Sequence, residues 1–470
     1  MIESKKKHIV LIVPRGEAVR NFLYTETLKT LHQHLRVTIL SIVDDAAFID
    51  KFSHYTDQII KLQEFNEAKL LDKIRQIIHD AHFKLLNSYV AVNYFDRARE
   101  KAKNEGSSFK YFISELVYKL LANNLLLRFL TRLENYLTWR LRPNDYFVEL
   151  FTKLKPDLVF NTSHIHGPAG ELPAKIASHL GIPVAGFVFS WDNLTSRSRI
   201  TVPYDYYFVW TEQIKKDLLR IYPYVNGKNV FVTGTPQFDF HFKENFDISL
   251  EQLAENIGFD PSRPYILYTT GIDRHFPDEH FTVLKVIEYL DQLDMQIRPQ
   301  LIVRTYVKGT SKEMWAIKDK NIPDVYFPKV EWDEVMFTPA YSDLTIYSGL
   351  LKYAALGINV ASTVTLELYI YGKPVINLAY DPTGSNLDPL MGYYRHFLFD
   401  HFAPVKESGG SATACSDEDL KRYMKEAFTD PEKRLGKQTK FINGMFGNSL
   451  DGRSGMRVAE TLIKILRKND

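Results

Sequence analysis

Small polar residues and a carboxylate follow one apolar stretch in NVASTVTLELYIYGKPVINLAY (359–380). Ser362 and Thr363 stand where a strand should end, and Glu367 lies one helical turn beyond Thr363. The first amides of a helix lack partners within the helix and attract anions, so a diphosphate would fit there. Glu367 would then accept hydrogen bonds from ribose. The structural alternative is that Ser362 caps the helix and Glu367 is a solvated surface residue.

Basic residues follow two other predicted strands of the same half. YILYTTGIDRHF leaves Gly271 and Arg274 in a loop, and LIVRTYVKG leaves Arg304 and Lys308. Cations beside a helix N-terminus would suit a nucleotide diphosphate that becomes a leaving group. A surface ion pair is the alternative for each arginine taken alone.

A different set of polar groups follows three predicted strands of the N-terminal half, in PRGEAVRN, NTSHIHGPAG and FSWDNLTSRS. A carboxylate or imidazole there could bind a hydroxyl-rich acceptor and take a proton from it. Glu17 is the first candidate base, followed by Asp192 and His166. The candidate acceptor-binding residues are Arg15, Arg20, Asn21, His164, Trp191, Asn193 and Thr195. The alternatives are ordinary polar loops, with WDNLTS as a capped turn above a packed Trp191.

Alternating strands and helices must position these loops. Strands are predicted in the first half at HIVLIV, RVTILSI, PDLVFNTS, PVAGFVFS, YDYYFVWT and KNVFVTG, and in the second half at YILYTTGID, RPQLIVRTYV, DVYFP, INVAS and PVINLAY. Two such series predict an α/β protein with two Rossmann-like domains facing across a cleft, lined by the strand exits. We expect the domains at 1–240 and 260–450, with a C-terminal helix at 451–470 packing back on the first.

A helical insertion is predicted within the first domain, at about 65–142, as two blocks separated by KNEGSS. The second block is unusually apolar and carries Lys110, Lys119, Arg128, Arg132, Arg140 and Arg142. This pattern fits peripheral contact with the inner membrane surface. It also fits helices packed on the core or on a partner.

The composition restricts the classes of function. In 470 residues, 59 basic side chains balance 57 acidic ones, which gives no general attraction to nucleic acid. A single cysteine, Cys415, excludes an internal disulfide framework and a cysteine-based zinc site. The apolar run after the basic N-terminus is too short for a signal peptide, and no run is long enough to span a membrane. We therefore expect a cytoplasmic protein.

The link VTGTPQFD…GFDPSRPYILYTTG and the block INVASTVTLELYIYGKPVINLAYD resemble those of GT-B-fold glycosyltransferases. The WDNLTS loop resembles one in bacterial surface-polysaccharide transferases. The resemblance covers about residues 5–50 and 155–465, outside the helical insertion. It matches Ser362, Thr363 and Glu367 to the nucleotide-binding segment. YRHFLFDHFAPVKESGG resembles the lid-like segment that follows, which makes His401, Gly409 and Gly410 candidates near the donor.

The resemblance implies transfer of a sugar from a nucleotide-sugar donor to a glycan or lipid-linked acceptor, in synthesis of a bacterial surface polysaccharide such as capsule or lipopolysaccharide. GT-B enzymes generally work without a metal, and no D-x-D pair follows a predicted strand here. We therefore expect no metal and no cofactor. The same superfamily includes UDP-N-acetylglucosamine 2-epimerases and CDP-glycerol glycerophosphotransferases, so an isomerase, a phosphotransferase and a non-catalytic scaffold are alternatives. The donor sugar, the acceptor and the stereochemistry are left open.

Overall fold

The computed structural model describes residues 6–66, 68–165, 167–293, 298–307, 309–333 and 337–468. The chain divides into two compact units. The first consists of Met1–Asp239 together with Asn448–Asp470, and the second is Phe240–Gly447. Each unit is built on its own parallel sheet.

The first unit contains a seven-stranded sheet in the order β3-β2-β1-β4-β5-β6-β7. Its strands are β1 (His8–Val13), β2 (Arg36–Ser41), β3 (Gln58–Lys61), β4 (Leu158–Asn161), β5 (Val184–Phe187), β6 (Tyr206–Val209) and β7 (Val230–Val232). The second unit contains a six-stranded sheet in the order β10-β9-β8-β11-β12-β13. Its strands are β8 (Tyr265–Thr269), β9 (Gln300–Arg304), β10 (Val325–Tyr326), β11 (Leu356–Asn359), β12 (Val375–Leu378) and β13 (Ala412–Ala414).

Helices connect these strands. In the first unit they are α1 (Gly16–Ala18), α2 (Glu26–His34), α3 (Ala46–Phe52), α4 (Lys69–Leu86), α5 (Tyr89–Asn104), α6 (Ser108–Leu121), α7 (Asn124–Leu141), α8 (Asp145–Leu154), α9 (Gly167–His179), α10 (Asn193–Ser196) and α11 (Glu212–Ile221). In the second unit they are α12 (Leu250–Ile257), α13 (Glu279–Leu290), α14 (Lys312–Asp319), α15 (Tyr341–Tyr353), α16 (Val364–Ile370), α17 (Ala403–Ser408), α18 (Asp417–Thr429) and α19 (Leu435–Phe446). The last helix, α20 (Ser454–Lys468), belongs to the first unit. Within the described parts of the chain, no helix is both long and apolar enough to cross a membrane.

Every strand pairing within the two sheets is parallel. Parallel sheets are covered by helices on both faces, and all six residues of β1 are accordingly buried. The predicted strands are present, and their apolar runs form the centre of each sheet. The sequence prediction lacked β3 and β13, because one is partly exposed and the other has only three residues.

Two helical regions depart from a simple pattern. Between β1 and β2, Val19–Leu23 forms a π-helical turn, and regular helix begins again at Glu26. The insertion contains four helices instead of two blocks. Asn87 ends α4 in a left-handed conformation, Ser88 caps α5, and Asn123 caps α7.

A buried ionic cluster joins the insertion to the first sheet's helices. Glu134 of α7 has no exposed side-chain surface and lies 2.7 Å from both Lys175 of α9 and Arg75 of α4. Burial opposes ionisation of Glu134, but the two cations outweigh it and lower the pKa of this carboxyl. The cluster therefore fixes α4 and α7 to α9.

The C-terminal helix α20 packs against α2 near the start of the chain. A Cβ on Gly455 would lie 2.6 Å from the Thr25 hydroxyl, and the Thr27 hydroxyl donates to the Gly455 carbonyl at 3.0 Å. The buried carboxylate of Asp239 accepts from the amides of Ser454 at 3.0 Å and Gly455 at 2.7 Å. Asp239 thus binds the otherwise unpartnered first amides of α20.

Replacing Asp239 by alanine should therefore destabilise the first unit. We expect Asp239→Ala to lower the free energy of unfolding in urea by about 1–3 kcal/mol, because two buried amides lose their acceptor. Asp239→Asn keeps one acceptor oxygen and should cost less. Equal stability of the alanine variant and the native protein would show that α20 is held by its packing alone.

Candidate functional site

The strand order of the second sheet reverses between β8 and β11. In open parallel sheets, ligands bind beyond the carboxyl ends of the strands at such a reversal. Thr269 and Asn359 end these two strands and pair in register, so their exit loops start side by side. A Cβ on Gly271 would lie 2.5 Å from Phe276 and 3.0 Å from Val360. The absence of a side chain at Gly271 therefore allows the two exits to approach each other.

Ser362 and Thr363 occupy the turn between β11 and α16, as predicted, and both are half-buried. The amide of Val364 donates to the Ser362 hydroxyl at 3.3 Å. Ser362 therefore contributes to capping α16, the structural role considered above. The amides of Thr365 and Leu366 donate to the carbonyls of Ser362 and Thr363, so the first amides of α16 already have partners and differ from the open anion site expected from the sequence. The turn places both hydroxyls at the strand exit.

Glu367 is buried, which excludes the alternative of a solvated surface residue. Its Oε2 accepts from the Tyr347 hydroxyl at 2.9 Å, and its Oε1 lies 3.0 Å from Nε2 of His241. Nδ1 of His241 lies 3.1 Å from the Tyr371 hydroxyl. A carboxylate oxygen can accept more than one hydrogen bond, so each oxygen keeps capacity for a ligand hydroxyl. The sequence prediction lacked the contributions of His241 and Tyr347.

A buried polar cluster fixes α16 to the ends of β11 and β12. The Asn377 side-chain amide donates to Asn359 Oδ1 at 2.7 Å and to the Thr365 hydroxyl at 2.8 Å. The Thr365 hydroxyl in turn donates to Asn359 Oδ1 at 2.9 Å. The signal in the sequence was an asparagine near the end of each of two apolar strands. The cluster sets the position of α16 relative to the exit.

Glu279, at the start of α13, holds the loop after β8. Its Oε2 accepts from the amide of Gly271 at 2.7 Å, and its Oε1 lies 3.1 Å from the Tyr268 hydroxyl. Burial raises the pKa of Glu279 to about 8. A carboxyl that is largely protonated at neutral pH thus lies directly behind the candidate site.

The predicted cationic residues have different environments. Arg274 is exposed, and its guanidinium forms no ion pair or hydrogen bond with another described residue. Arg304 is buried and donates to Asp343 of α15 at 2.6 Å, and to the Lys329 carbonyl at 3.3 Å. Arg304 therefore differs from the free cation expected from the sequence, because Asp343 neutralises it. Lys308 lies outside the described residues.

The segment after β12 packs against the loop after β8. Arg395 donates to the His275 carbonyl at 3.1 Å, and the Tyr393 and Phe276 rings meet edge to face at 5.1 Å. His401 is half-buried further along this segment. Gly409 ends α17 with φ +65°, and a Cβ on Gly410 would lie 2.8 Å from the Tyr369 hydroxyl. Both glycines thus have structural roles at the positions where donor contacts were predicted.

In the first unit the strand order reverses between β1 and β4, and the three predicted polar exits follow the neighbouring strands β1, β4 and β5. After β1, the carboxylate of Glu17 is mostly buried and lies 3.1 Å from Arg15 Nε. Arg20 donates to Oδ1 of the buried Asn21 at 2.9 Å. Arg20 and Asn21 lie in the π-helical turn, whereas Arg15 and Glu17 precede it; such turns frequently mark functional sites.

The loops that follow β4 and β5 contact each other at His164. The amide of Phe189 donates to its Nδ1 at 3.3 Å, and burial lowers the pKa of His164 to about 4. A neutral imidazole is therefore expected at pH 7. His166 lies outside the described residues.

WDNLTS forms a turn whose side chains hydrogen-bond to one another and to the backbone of the same turn. The Asp192 carboxylate accepts from the Ser196 hydroxyl at 2.6 Å and from the Asn193 side-chain amide at 3.2 Å. The Thr195 hydroxyl donates to the Asp192 carbonyl, and Trp191 is half-buried. This geometry agrees with the capped turn considered from the sequence.

Across the described ranges, no group of three or more His, Cys, Asp or Glu side chains is placed to hold a metal ion. Independence from a metal stays a prediction. The candidate chemistry of the second unit relies on the hydroxyls of Ser362 and Thr363, on Glu367 and on Arg274.

Neither a protein-family model nor a curated protein sequence matches this chain. Solved structures do match it over nearly their whole length. The S. aureus MnaA–UDP co-structure is 14% identical, with a TM-score of 0.54, over 98% of this chain and 97% of that one. A putative UDP-N-acetylglucosamine 2-epimerase from Listeria monocytogenes is 13% identical, with a TM-score of 0.57, over 99% and 98%. A glycosyltransferase from Rickettsia africae is 12% identical, with a TM-score of 0.50, over 99% and 100%.

The chain has the GT-B fold. This confirms the fold predicted from the sequence, with two Rossmann-like units and a helical insertion in the first. Because the identities are low, the GT-B likeness shows the fold alone, and activity must be argued from the site.

The protonation of Glu279 predicts a pH dependence of stability. Unfolded Glu279 loses its proton near pH 4.5, whereas the folded carboxyl keeps it to about pH 8. Between these values the folded state binds more protons, so this residue lowers stability as pH rises, by up to about 1.4 kcal/mol per pH unit. Glu279→Gln keeps the hydrogen-bonding groups without titrating. We expect urea unfolding to show this variant gaining stability over the native protein from pH 5 to pH 8; a constant difference would contradict this protonation.

Proposed function

We propose that this protein is a metal-independent glycosyltransferase that moves a sugar from a nucleotide-sugar donor to a glycan or lipid-linked acceptor in bacterial surface polysaccharide synthesis. The observation that carries the proposal is the close approach of the β8 and β11 exits at Gly271 and Val360, followed by Ser362, Thr363 and Glu367. The matched structures include a UDP complex, a putative UDP-N-acetylglucosamine 2-epimerase and a glycosyltransferase, which supports a nucleotide-sugar substrate.

The donor is assigned to the second unit. The diphosphate would contact the hydroxyls of Ser362 and Thr363, with the exposed Arg274 as a cation. Ribose hydroxyls would donate to Glu367, which Tyr347 and His241 hold in place. Arg274 and the two hydroxyls would stabilise the departing nucleotide without a metal ion. Arg304 would act indirectly, because it is paired with Asp343.

The acceptor is assigned to the first unit. If the reaction inverts the sugar, Glu17 is the proposed base, because it lies at the exit of β1 beside Arg15. Asp192 is the less favoured base, since Ser196 and Asn193 already bind its carboxylate. If the reaction retains the configuration, no dedicated base is needed.

An isomerase is the second candidate, because the structures of UDP-N-acetylglucosamine 2-epimerases match nearly the whole chain. An epimerase converts its sugar nucleotide without an acceptor, whereas a transferase forms no glycosylated product unless an acceptor is present. Thermal-shift screening of UDP-, GDP-, CMP- and dTDP-linked sugars identifies the donor. Product analysis with and without a glycan acceptor then separates the two activities.

Removing the Glu367 carboxylate should weaken nucleotide binding. We expect Glu367→Ala to lose about 1–3 kcal/mol of binding free energy by calorimetry with the preferred nucleotide, as for a hydrogen bond to a charged group. Glu288→Ala removes an exposed carboxylate of the same unit and serves as the matched control. Unchanged affinity in a folded Glu367→Ala variant would leave Glu367 with only its structural contacts to Tyr347 and His241.

Turnover should survive removal of divalent cations. We expect equal rates of nucleotide release from the donor before and after EDTA treatment, because the proposed diphosphate site uses hydroxyls and Arg274. Loss of turnover in EDTA that Mg²⁺ or Mn²⁺ restores would refute the metal-independent mechanism.

A further inference from the structure

Helix α6 turns its apolar side away from the protein. Phe109, Phe112, Ile113, Leu116, Val117 and Leu120 are all exposed, and Phe109 and Leu120 reach 79% and 67%. Their spacing of three and four residues places them on one face of the helix. No residue of α6 is fully buried. An ordinary surface helix would direct this face to the core.

Polar contacts on the opposite side fix this orientation. The Tyr111 hydroxyl donates to the Phe95 carbonyl at 3.0 Å, and Lys84 of α4 donates to Glu115 at 2.6 Å. Arg99 of α5 also contacts Glu115, at 3.2 Å. Tyr111 and Glu115 of α6 therefore face α4 and α5, and the apolar stripe is left facing outward.

Exposed apolar side chains also occur in the first turns of α7, which follows α6 directly in the chain. Leu125 and Phe129 are 82% and 61% exposed, whereas Leu127 is buried against Ile78 and Ala81 of α4. We call the exposed set the α6–α7 surface; it comprises Phe109, Phe112, Ile113, Leu116, Val117, Leu120, Leu125, Leu126 and Phe129. Contiguous apolar patches of this kind on soluble domains mark interaction sites.

The charges around this surface are positive. Five basic residues lie between positions 108 and 141, against two acidic ones, Glu115 and Glu134. Both acids are already ion-paired with residues of neighbouring helices. Lys110, Lys119 and Arg132 are exposed, and among the described residues none of them has an acidic partner.

We propose that the α6–α7 surface docks on an anionic lipid bilayer, with α6 lying in the plane of the interface. Such a surface supplies an apolar layer for the phenylalanine and leucine side chains and anionic headgroups for the flanking lysines and arginine. A symmetric contact between two copies would instead set the same unpaired cations against each other. The docking does not depend on the proposed catalytic activity, because it uses residues of the insertion alone.

Vesicle flotation of the full-length protein tests this docking. We expect binding to phosphatidylcholine vesicles that contain phosphatidylglycerol, weaker binding without it, and weakening at high salt. Phe112→Ser/Leu116→Ser/Leu120→Ser should abolish flotation. Lys110→Gln/Lys119→Gln/Arg132→Gln should weaken binding by about a hundredfold, because each of the three basic side chains contributes to the binding free energy at an anionic bilayer.

Matched controls separate docking from general stickiness and from self-association. Leu284→Ser/Trp315→Ser removes exposed apolar side chains of the second unit and should float like the native protein. All variants change exposed residues, and unfolding curves confirm that they fold. Failure of the native protein to bind anionic vesicles at low salt would overturn the proposal. So would a native dimer, measured by sedimentation, that the triple serine variant converts to a monomer.

Discussion

Parallel strand pairing is the constraint on which the rest of this structure depends. A parallel sheet needs a crossover between neighbouring strands, and the crossover helices cover both faces. The strands are consequently buried, as all of β1 is, and polar side chains concentrate where strands end. The candidate groups of both units therefore lie in the exit loops, and the reversals at β1/β4 and β8/β11 determine which loops adjoin.

Buried carboxyl groups position the segments around these exits. Glu279 binds the amide of Gly271, and Glu367 holds Tyr347 and His241. In the first unit, Glu134 joins the insertion to α9 through Lys175. Each carboxyl is satisfied by hydrogen bonds or ion pairs, which buried charge requires. Their roles differ with their surroundings: isolation from cations leaves Glu279 easily protonated, whereas two cations keep Glu134 ionised.

The sequence predicted every strand except β3 and β13, the fold class and the placement of Ser362, Thr363 and Glu367, because apolar runs and exit residues are local signals. It could not predict that Asp343 neutralises Arg304, or that His241 reaches Glu367 from 126 positions away, since such pairings depend on the tertiary fold. The sequence likewise showed that the second block of the insertion is unusually apolar, but not which way its apolar side chains face. The contacts of Glu115 with Lys84 and Arg99 set that direction.

The route of the chain through the two units has a consequence for biosynthesis. The second unit is continuous from Phe240 to Gly447, whereas the first is completed by a helix that follows it in sequence. During translation, Asp239 leaves the ribosome more than two hundred residues before the amides of Ser454 and Gly455 that it binds. The first unit therefore cannot be completed until α20 has been synthesised, whereas the second unit is one continuous segment and can fold as it emerges. For much of its synthesis the nascent chain therefore exposes a surface of α2 that the finished protein covers with α20.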